Sequence, residues 1–475
     1  MPIKKYVASK DTTITDAFKP DLITRAVNAN MGASDSLEIF SIFAQATDNS
    51  VEKSRILVQF PIEQIIEDRT SSKIPASGSV KFFLKLYNVE HPFSVPRDFS
   101  VSINPVSQSW DEGYGLDMET YSDIGWHPVL KGSGCTWEYA QSGTVWSGTG
   151  SSYITGSGYD FTQTFSSGLE DIDLDITNLV EDWITSTIPN NGVLVKLSGS
   201  FEDGTEGRSF YTKKFSARGS EFFYKRPSIE ARWAAVVTDD RTNFFASSSA
   251  FDTEDNIMNL YYFNKPRGVL KNIAGDPQLN VKFYSDSTLL NEIAPSYLSI
   301  SNPSEGIYKA RVSLDTTASV GYDVWINSSS LGRYFSSAFD INQPNGYDYD
   351  STPEYVVNIV NLKVNYTGSE NARFKIFIRD RDWKPTIYTN ATNLVENTIS
   401  NNLYYKILRL SDNYTIIDYS TGSIAFSKTS YDSNGNYFDL DLTFLEPGYT
   451  YGIRLATYDG SQLNEIKNTF KFKVQ

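Results

Sequence analysis

Closely spaced carboxylates between Trp110 and Asp123 stand among glycines, a composition that suits a calcium site. Calcium takes about six to eight oxygen ligands, commonly from flexible, turn-rich backbone. The carboxylates that could supply them are Asp111, Glu112, Asp117, Glu119 and Asp123. Their spacing does not match an EF-hand loop. A solvated or hydrogen-bonded acidic loop is the alternative and the more common use of such a sequence, so calcium stays a candidate only.

Aromatic residues in and after this loop could stack on a sugar. Exposed indole and phenol rings can lie against the apolar face of a pyranose, whereas the same residues inside a sandwich act as core or interface anchors. The candidate stacking residues are Trp110, Trp126, Trp146 and Tyr153. Trp137 lies in a strand-like setting and is predicted to be part of the core.

Signatures of catalysis are scarce. The two histidines, His91 and His127, do not have the spacing of zinc ligands. No nucleophile elbow, phosphate-binding loop or dinucleotide fingerprint occurs in the sequence. Cys135 could pair with His127, but a lone cysteine is more often a small buried apolar group. Paired carboxylates could cleave glycosides, although 57 acidic residues make accidental pairs common. We predict no catalytic residues and no enzyme activity.

Most of the chain alternates apolar and polar residues, which is typical of half-buried strands. The 30 tyrosines and 29 phenylalanines also favour strands. One short helix is predicted over residues 176–185, where Ile176, Leu179, Val180 and Trp183 recur at i, i+3, i+4 and i+7. The sequence therefore predicts an all-β protein that contains one short helix.

Polar, turn-rich segments divide the chain into three predicted modules, residues 1–237, 241–345 and 354–475. Residues 238–243 have the composition of a linker, and Asn, Gly, Asp and Pro between 342 and 353 disfavour regular structure. Each of the last two modules has about the size of an immunoglobulin-like sandwich. The Cys…Trp…Cys pattern of immunoglobulin domains proper is absent, and the two modules show no visible sequence repeat.

A series of short motifs runs through residues 1–235. They include 11–14, 30–37, 54–60, 81–87, 110–113, 136–138, 175–183, 189–195 and 226–230. Their order resembles the DNRLRE domain, a jelly-roll β-sandwich related to carbohydrate-binding modules. The family's usual Gly-Gly-Asp is absent, and Gly150, Gly156 and Gly158 occupy that region. The resemblance implies a jelly-roll sandwich for the first module.

Composition restricts the partners and the compartment. The formal net charge of −15 repels phosphate backbones, so nucleic-acid binding is not expected. A single cysteine favours folding in a reducing cytosol, because sandwiches exported to oxidising compartments often carry disulfides. We expect no signal peptide, because no apolar stretch follows the first lysines, and no membrane association, because no apolar span of about 20 residues is found.

Segments 308–313, 377–388 and 430–440 look like parts of structural proteins of tailed bacteriophages. This resemblance implies a non-enzymatic virion protein, assembled in the host cytoplasm, in the tail, neck, baseplate or capsid decoration. Its expected partners are other virion proteins, with an oligomeric arrangement in the particle. The alternative is a carbohydrate-binding protein that contributes to host-surface attachment through a glycan.

Overall fold

The structure is a computed structural model that describes residues 2–43, 51–90, 97–116, 134–203, 210–274, 279–328, 332–343, 354–381 and 397–475. It divides into two compact units, residues 3–232 and residues 233–475 together with residues 1–2. Strands dominate both units, which confirms the predicted all-β class. Within the described residues, no helix has the length and apolar character needed to cross a membrane.

The described part of the first unit contains a four-stranded sheet, a seven-stranded sheet and a separate two-stranded hairpin. Within each sheet, neighbouring strands are antiparallel. The four-stranded order is β1-β13-β5-β10, and the larger sheet runs β12-β3-β4-β11-β6-β9 with β2 paired to β4. The hairpin is β7-β8. The strands are β1 (Ile3–Val7), β2 (Lys10–Thr15), β3 (Ser36–Phe43), β4 (Val51–Gln59), β5 (Lys81–Leu86), β6 (Phe99–Pro105), β7 (Tyr139–Gln141), β8 (Thr144–Val145), β9 (Phe161–Phe165), β10 (Ile172–Asp175), β11 (Val193–Leu197), β12 (Phe210–Ser216) and β13 (Ser228–Arg232).

Three α-helices accompany these strands in the described part of the first unit, and the second of them is the predicted one. The helices are α1 (Ile62–Thr70), α2 (Thr177–Ile184) and α3 (Ser200–Asp203). In α2, Leu179, Val180 and Trp183 are buried, as the helical spacing predicts. The Asp175 carboxylate accepts a hydrogen bond of 2.9 Å from the backbone N–H of Thr177, which stabilises the first turn.

The second unit holds two sandwiches. The strands of the first are β14 (Phe244–Phe245), β15 (Met258–Phe263), β16 (Leu279–Tyr284), β17 (Glu292–Ile293), β18 (Tyr297–Ser304), β19 (Ile307–Ser313), β20 (Val320–Asn327) and β21 (Arg333–Asn342). The strands of the second are β22 (Tyr355–Ile359), β23 (Asn365–Tyr366), β24 (Asn371–Asp380), β25 (Leu403–Arg409), β26 (Tyr414–Ile417), β27 (Ser430–Asp432), β28 (Gly435–Asp441), β29 (Thr450–Tyr458) and β30 (Leu463–Val474).

The two sandwiches share one strand order despite their different sequences. The sheet β14-β21-β20-β16-β17 corresponds to β23-β30-β29-β25-β26. The sheet β15-β19-β18 corresponds to β24-β28-β27, to which β22 is added. In both, the short first strand of the larger sheet pairs in parallel with the last strand of the sandwich. This is the arrangement of an immunoglobulin-like sandwich, as the sequence predicts for these two modules.

Residues 237–241 overlap the segment 238–243 that has the composition of a linker, and they are hydrogen-bonded to both of these sandwiches. The backbone N–H of Tyr431 donates to the carbonyl of Val237 (2.8 Å), and the Tyr431 hydroxyl donates to Asp240 (2.7 Å). The Arg241 guanidinium donates to Asp239 and to Asp323, at 2.5 Å each. Asp239, Arg241 and Asp323 are only 5%, 8% and 0% exposed, so polar composition here reflects paired buried charge.

Replacing Arg241 with alanine should destabilise the protein by about 3–5 kcal/mol, because two buried carboxylates would lose their cation. Equilibrium denaturation of the full chain measures the change. The matched control is Lys282→Ala, which removes the cation of an exposed pair with Glu292 in the same sandwich. This control should cost about 1 kcal/mol or less, and an equal effect of the two substitutions would contradict the proposed role of Arg241.

Trp183→Ala should cost about 3–5 kcal/mol, because it empties a large buried volume beneath α2. The control is Asn178→Ala on the exposed side of the same helix, which should stay within about 0.5 kcal/mol of wild type. Denaturant titration compares the three proteins. A Trp183→Ala variant as stable as the control would show that the helix does not depend on this contact.

Candidate functional site

Trp110, Trp137 and Trp146 cover a sheet face of the first unit and do not project into solvent. Ile56, Leu57 and Val58 of β4 are all fully buried, although neighbouring strand residues point to opposite faces. The strand is therefore covered on both faces. One side chain from each of β2, β4 and β11 packs in a single cluster with residues that follow β6. The cluster comprises Ile14, Leu57, Val106, Trp110, Cys135, Trp137, Ala140, Trp146 and Leu194.

This cluster changes the interpretation of the predicted sugar-stacking residues. Trp110 and Trp146 are 1% and 5% exposed, and their indole N–H groups donate to the carbonyls of Asn191 and Thr136. They act as core side chains and offer no exposed ring face to a sugar, which corrects the prediction for both. Trp126 lies outside the described residues. Tyr153 is half-buried, with the Lys196 ammonium 4.9 Å from its ring centroid.

Asn30 organises the start of the acidic loop. Its amide nitrogen donates to the carbonyls of Glu112 (2.9 Å) and Cys135 (2.7 Å). Its amide oxygen accepts from the backbone N–H groups of Gly32 (3.2 Å) and Gly115 (2.9 Å). A Cβ atom at Gly115 would overlap the Asn30 carbonyl, so the close backbone approach requires glycine there. Residues 112–115, at the start of the loop, are thus held by one buried amide.

Glu112, a predicted calcium ligand, binds a guanidinium. Arg218 Nη2 lies 2.8 Å from each carboxylate oxygen of Glu112, and the backbone N–H of Asp11 donates to Oε1 (2.9 Å). Both carboxylate oxygens are therefore already occupied by a cation of the protein, as in other Arg–carboxylate pairs. This corrects the prediction for Glu112.

The remaining predicted calcium ligands do not form a site in the described part of the chain. Asp111 is exposed, and its backbone N–H donates to the carbonyl of Ala140 (3.1 Å). Asp117, Glu119 and Asp123 lie outside the described residues. Among the described residues, no group of three or more histidine, cysteine, aspartate or glutamate side chains could hold a metal ion.

Asp11 is a buried carboxylate next to this ion pair that the sequence did not single out as functional. It is 2% exposed, and one of its oxygens accepts a 2.5 Å hydrogen bond from the backbone N–H of Arg218. Burial raises the pKa of Asp11 to about 7. The hydrogen bond from Arg218 lowers this pKa, and the nearby negative charge of Glu112 raises it, but both effects are smaller than that of burial. The cluster of Asp11, Glu112 and Arg218 joins β2, the acidic loop and the segment after β12.

Cys135 is fully buried within the tryptophan cluster. Burial raises the pKa of its thiol far above the usual range, so the thiolate that a nucleophile requires is disfavoured. His127, its conceivable partner, lies outside the described residues. The environment of Cys135 is that of a small apolar core residue, the more common role for a lone cysteine.

Exposed apolar side chains occur on segments that the ion pair holds together. Tyr114 and Leu116 follow Glu112, while Phe222 and Phe223 follow Arg218, and all four are more than a third exposed. Arg226 lies over the Phe223 ring, with its guanidinium carbon 5.5 Å from the centroid. Exposed aromatic and arginine side chains are enriched in protein–protein interfaces. Sequence reasoning missed these residues because no local pattern separates exposed from core aromatics.

Comparisons with known proteins leave the family open. No protein-family model matches the chain, and no curated protein matches it. Solved structures with some similarity include the Yersinia pseudotuberculosis adhesin InvE, at 10% identity and a TM-score of 0.16, covering 48% of this chain and 56% of that one. Tandem Ig repeats of Dlar match at 10% identity and a TM-score of 0.14, covering 46% and 90%. TM-scores this low support neither a shared fold nor a shared function.

The raised pKa of Asp11 should make stability fall as the pH rises from about 4 to about 7. The folded state holds the proton up to about pH 7, whereas an unfolded aspartate releases it near pH 3.9, so the folded state binds more protons in this window. Asp11→Asn should remove this loss, which we expect to exceed about 1 kcal/mol given about 1.4 kcal/mol per pKa unit.

Urea denaturation at pH 5 and pH 7.5 measures the effect in wild type, Asp11→Asn and Asp98→Asn. The last substitution removes an exposed carboxylate and serves as the control. It should keep the pH dependence of wild type. A wild-type pH dependence in the Asp11→Asn variant would mean that another group titrates in this range.

Proposed function

We propose that the chain is a non-enzymatic structural protein of a tailed-bacteriophage particle that acts through protein–protein contacts. The observation that carries this proposal is the junction between its last two sandwiches. Residues 237–241, which precede the middle sandwich, pair through their backbone with Tyr431 of the last sandwich and through the buried Arg241 with Asp323 of the middle one. A segment bound by both sandwiches holds them together, which is what an architectural component requires.

Exposed apolar surface supports contact with other proteins. In the first unit, Tyr114, Leu116, Phe222 and Phe223 are exposed. In the last sandwich, Val356, Val360 and Val364 are exposed along the segment that pairs first with β24 and then with β30. Apolar and aromatic side chains of this kind form the centre of protein interfaces. We infer that they meet other proteins of the particle, in the tail, neck, baseplate or capsid decoration.

The glycan-binding alternative receives less support from the geometry. Among the candidate stacking residues in the described part of the chain, Tyr153 alone keeps a partly exposed ring. A glycan array with the purified chain addresses this alternative directly. Strong binding that Tyr153→Ala abolishes would favour attachment to the host surface over a purely architectural role.

The proposal predicts that the protein is present in purified particles and stays attached in about 1 M salt. At that salt concentration the Debye length is about 3 Å, so exposed charge pairs are screened while apolar contacts persist. Quantitative mass spectrometry of particles washed in about 0.15 M and about 1 M salt measures retention. Release in high salt would indicate an electrostatic attachment, and absence from both preparations would overturn the virion assignment.

A further inference from the structure

Strand β18 of the middle sandwich is a long sheet edge without charge. It ends the sheet β15-β19-β18 and is the longest of the described strands that stand at the end of a sheet. Residues 293–304 contain no charged residue, and no described strand pairs with the outer edge of β18. Natural proteins usually protect such edges with charges, especially lysine, or with proline. Here Pro295 precedes β18, and Pro303 lies near its C-terminal end, where the register with β19 shifts between Ser301 and Ser304. The length from Tyr297 to Asn302 contains neither proline nor charge.

The side chains of β18 alternate in the way that a pairing strand requires. Leu298 and Ile300 are partly buried and pack against the core of the sandwich. Ser299 and Ser301 are exposed and are paired in register with Arg311 and Lys309 of β19. Strands β21 and β30 also have a long unpaired edge, because the end strands beside them, β14 and β23, are only two residues long. In contrast to β18, both carry charged residues along that edge.

The same chain shows how the equivalent edge of the last sandwich is used. Strand β27 corresponds to β18 in the shared strand order, and it ends its sheet in the same way. An extended segment covers it: Thr238 forms a parallel bridge with Tyr431, the Tyr431 N–H donates to Val237, and the Asp239 N–H donates to Tyr431. Backbone pairing with an extended segment is therefore the way in which this edge is satisfied elsewhere in the molecule.

We propose that β18 pairs antiparallel with β18 of a second copy of the chain, joining two three-stranded sheets into one six-stranded sheet. Two copies that each carry a net charge of −15 repel one another over most of their surface, but at this edge they meet without like charges, because residues 293–304 are neutral. Antiparallel pairing also places Glu305 of the two copies at opposite ends of the interface, whereas parallel pairing would set them side by side. The contact is self-complementary, as a two-fold interface requires.

Sedimentation equilibrium of the full chain in reducing buffer tests the proposal. We expect reversible association to twice the monomer mass of 53.4 kDa. Ser299→Lys combined with Ser301→Lys should shift the equilibrium to monomer, because an edge lysine blocks strand pairing. The added lysines lower the net negative charge, so a non-specific charge effect would strengthen association. Loss of the dimer would therefore be specific to the edge.

The matched control is Thr162→Lys combined with Thr164→Lys. These threonines are exposed, have the same spacing and lie on β9, which ends the larger sheet of the first unit. This control should retain the dimer, and circular dichroism and melting temperature establish that both variants fold. Hydrogen exchange should slow in residues 297–304 of wild type as protein concentration increases, and should not slow in the β18 variant.

Three results would overturn the inference. They are a wild-type chain that stays monomeric at the highest soluble concentration, a β18 variant that dimerises like wild type, and a dimer lost equally in the β9 control. The measurement uses the isolated chain, so its outcome is independent of the virion assignment. A dimer in solution with no protein in purified particles would support the edge pairing and reject the proposed function.

Discussion

Every strand at the end of a sheet leaves backbone N–H and C=O groups that need partners, and the way this chain satisfies them shapes the second unit. At the unpaired edge of β15, the Asp240 carboxylate accepts a hydrogen bond from the backbone N–H of Asn259. The neighbouring residues 237–239 pair with Tyr431 at the open side of β27. One short segment thus covers two sheet edges. Because the residues that cover the two edges are adjacent in the chain, covering the edges also links the middle sandwich to the last one.

Buried cations perform a related task for irregular segments. Arg55 of β4 donates to Glu202 and to the carbonyl of Gly150. These hydrogen bonds hold α3 and the segment after β8 against β4. Lys213 is 1% exposed, and its ammonium donates to Asn88 and to the carbonyls of Gly168 and Glu170, at 2.6–2.8 Å. These two buried cations therefore hold irregular segments against strands. Each is paired or fully hydrogen-bonded, which offsets the cost of its burial.

The sequence predicted what depends on local alternation and missed what depends on distant partners. Phe374, Ile376 and Ile378 lie at every second position of a strand whose other positions include Arg373, Lys375 and Arg379, and all three are buried. The polar composition of residues 238–243 predicts a linker, and it does not show that Arg241 is neutralised by Asp323, which lies 82 positions away. In the same way, local sequence does not decide whether Trp110 and Trp146 stack on a sugar or act as core anchors. They are buried because they pack on residues of β2, β4 and β11 that are distant in the sequence. The local alternation of apolar and polar residues does not show such contacts. The shared strand order of the last two sandwiches likewise leaves no repeat in the sequence.

Recognition through a strand edge leaves few chemical motifs in the sequence. The groups that pair are backbone N–H and C=O, which nearly every residue carries, so no particular side chain is demanded. What the sequence must provide is the absence of obstacles: no charge on the exposed positions, apolar residues toward the core, and proline only at the ends. Residues 293–304 meet these conditions together. In a protein built from sandwiches, such a neutral edge is therefore a more informative mark of assembly than the acidic or aromatic clusters that first suggest a ligand.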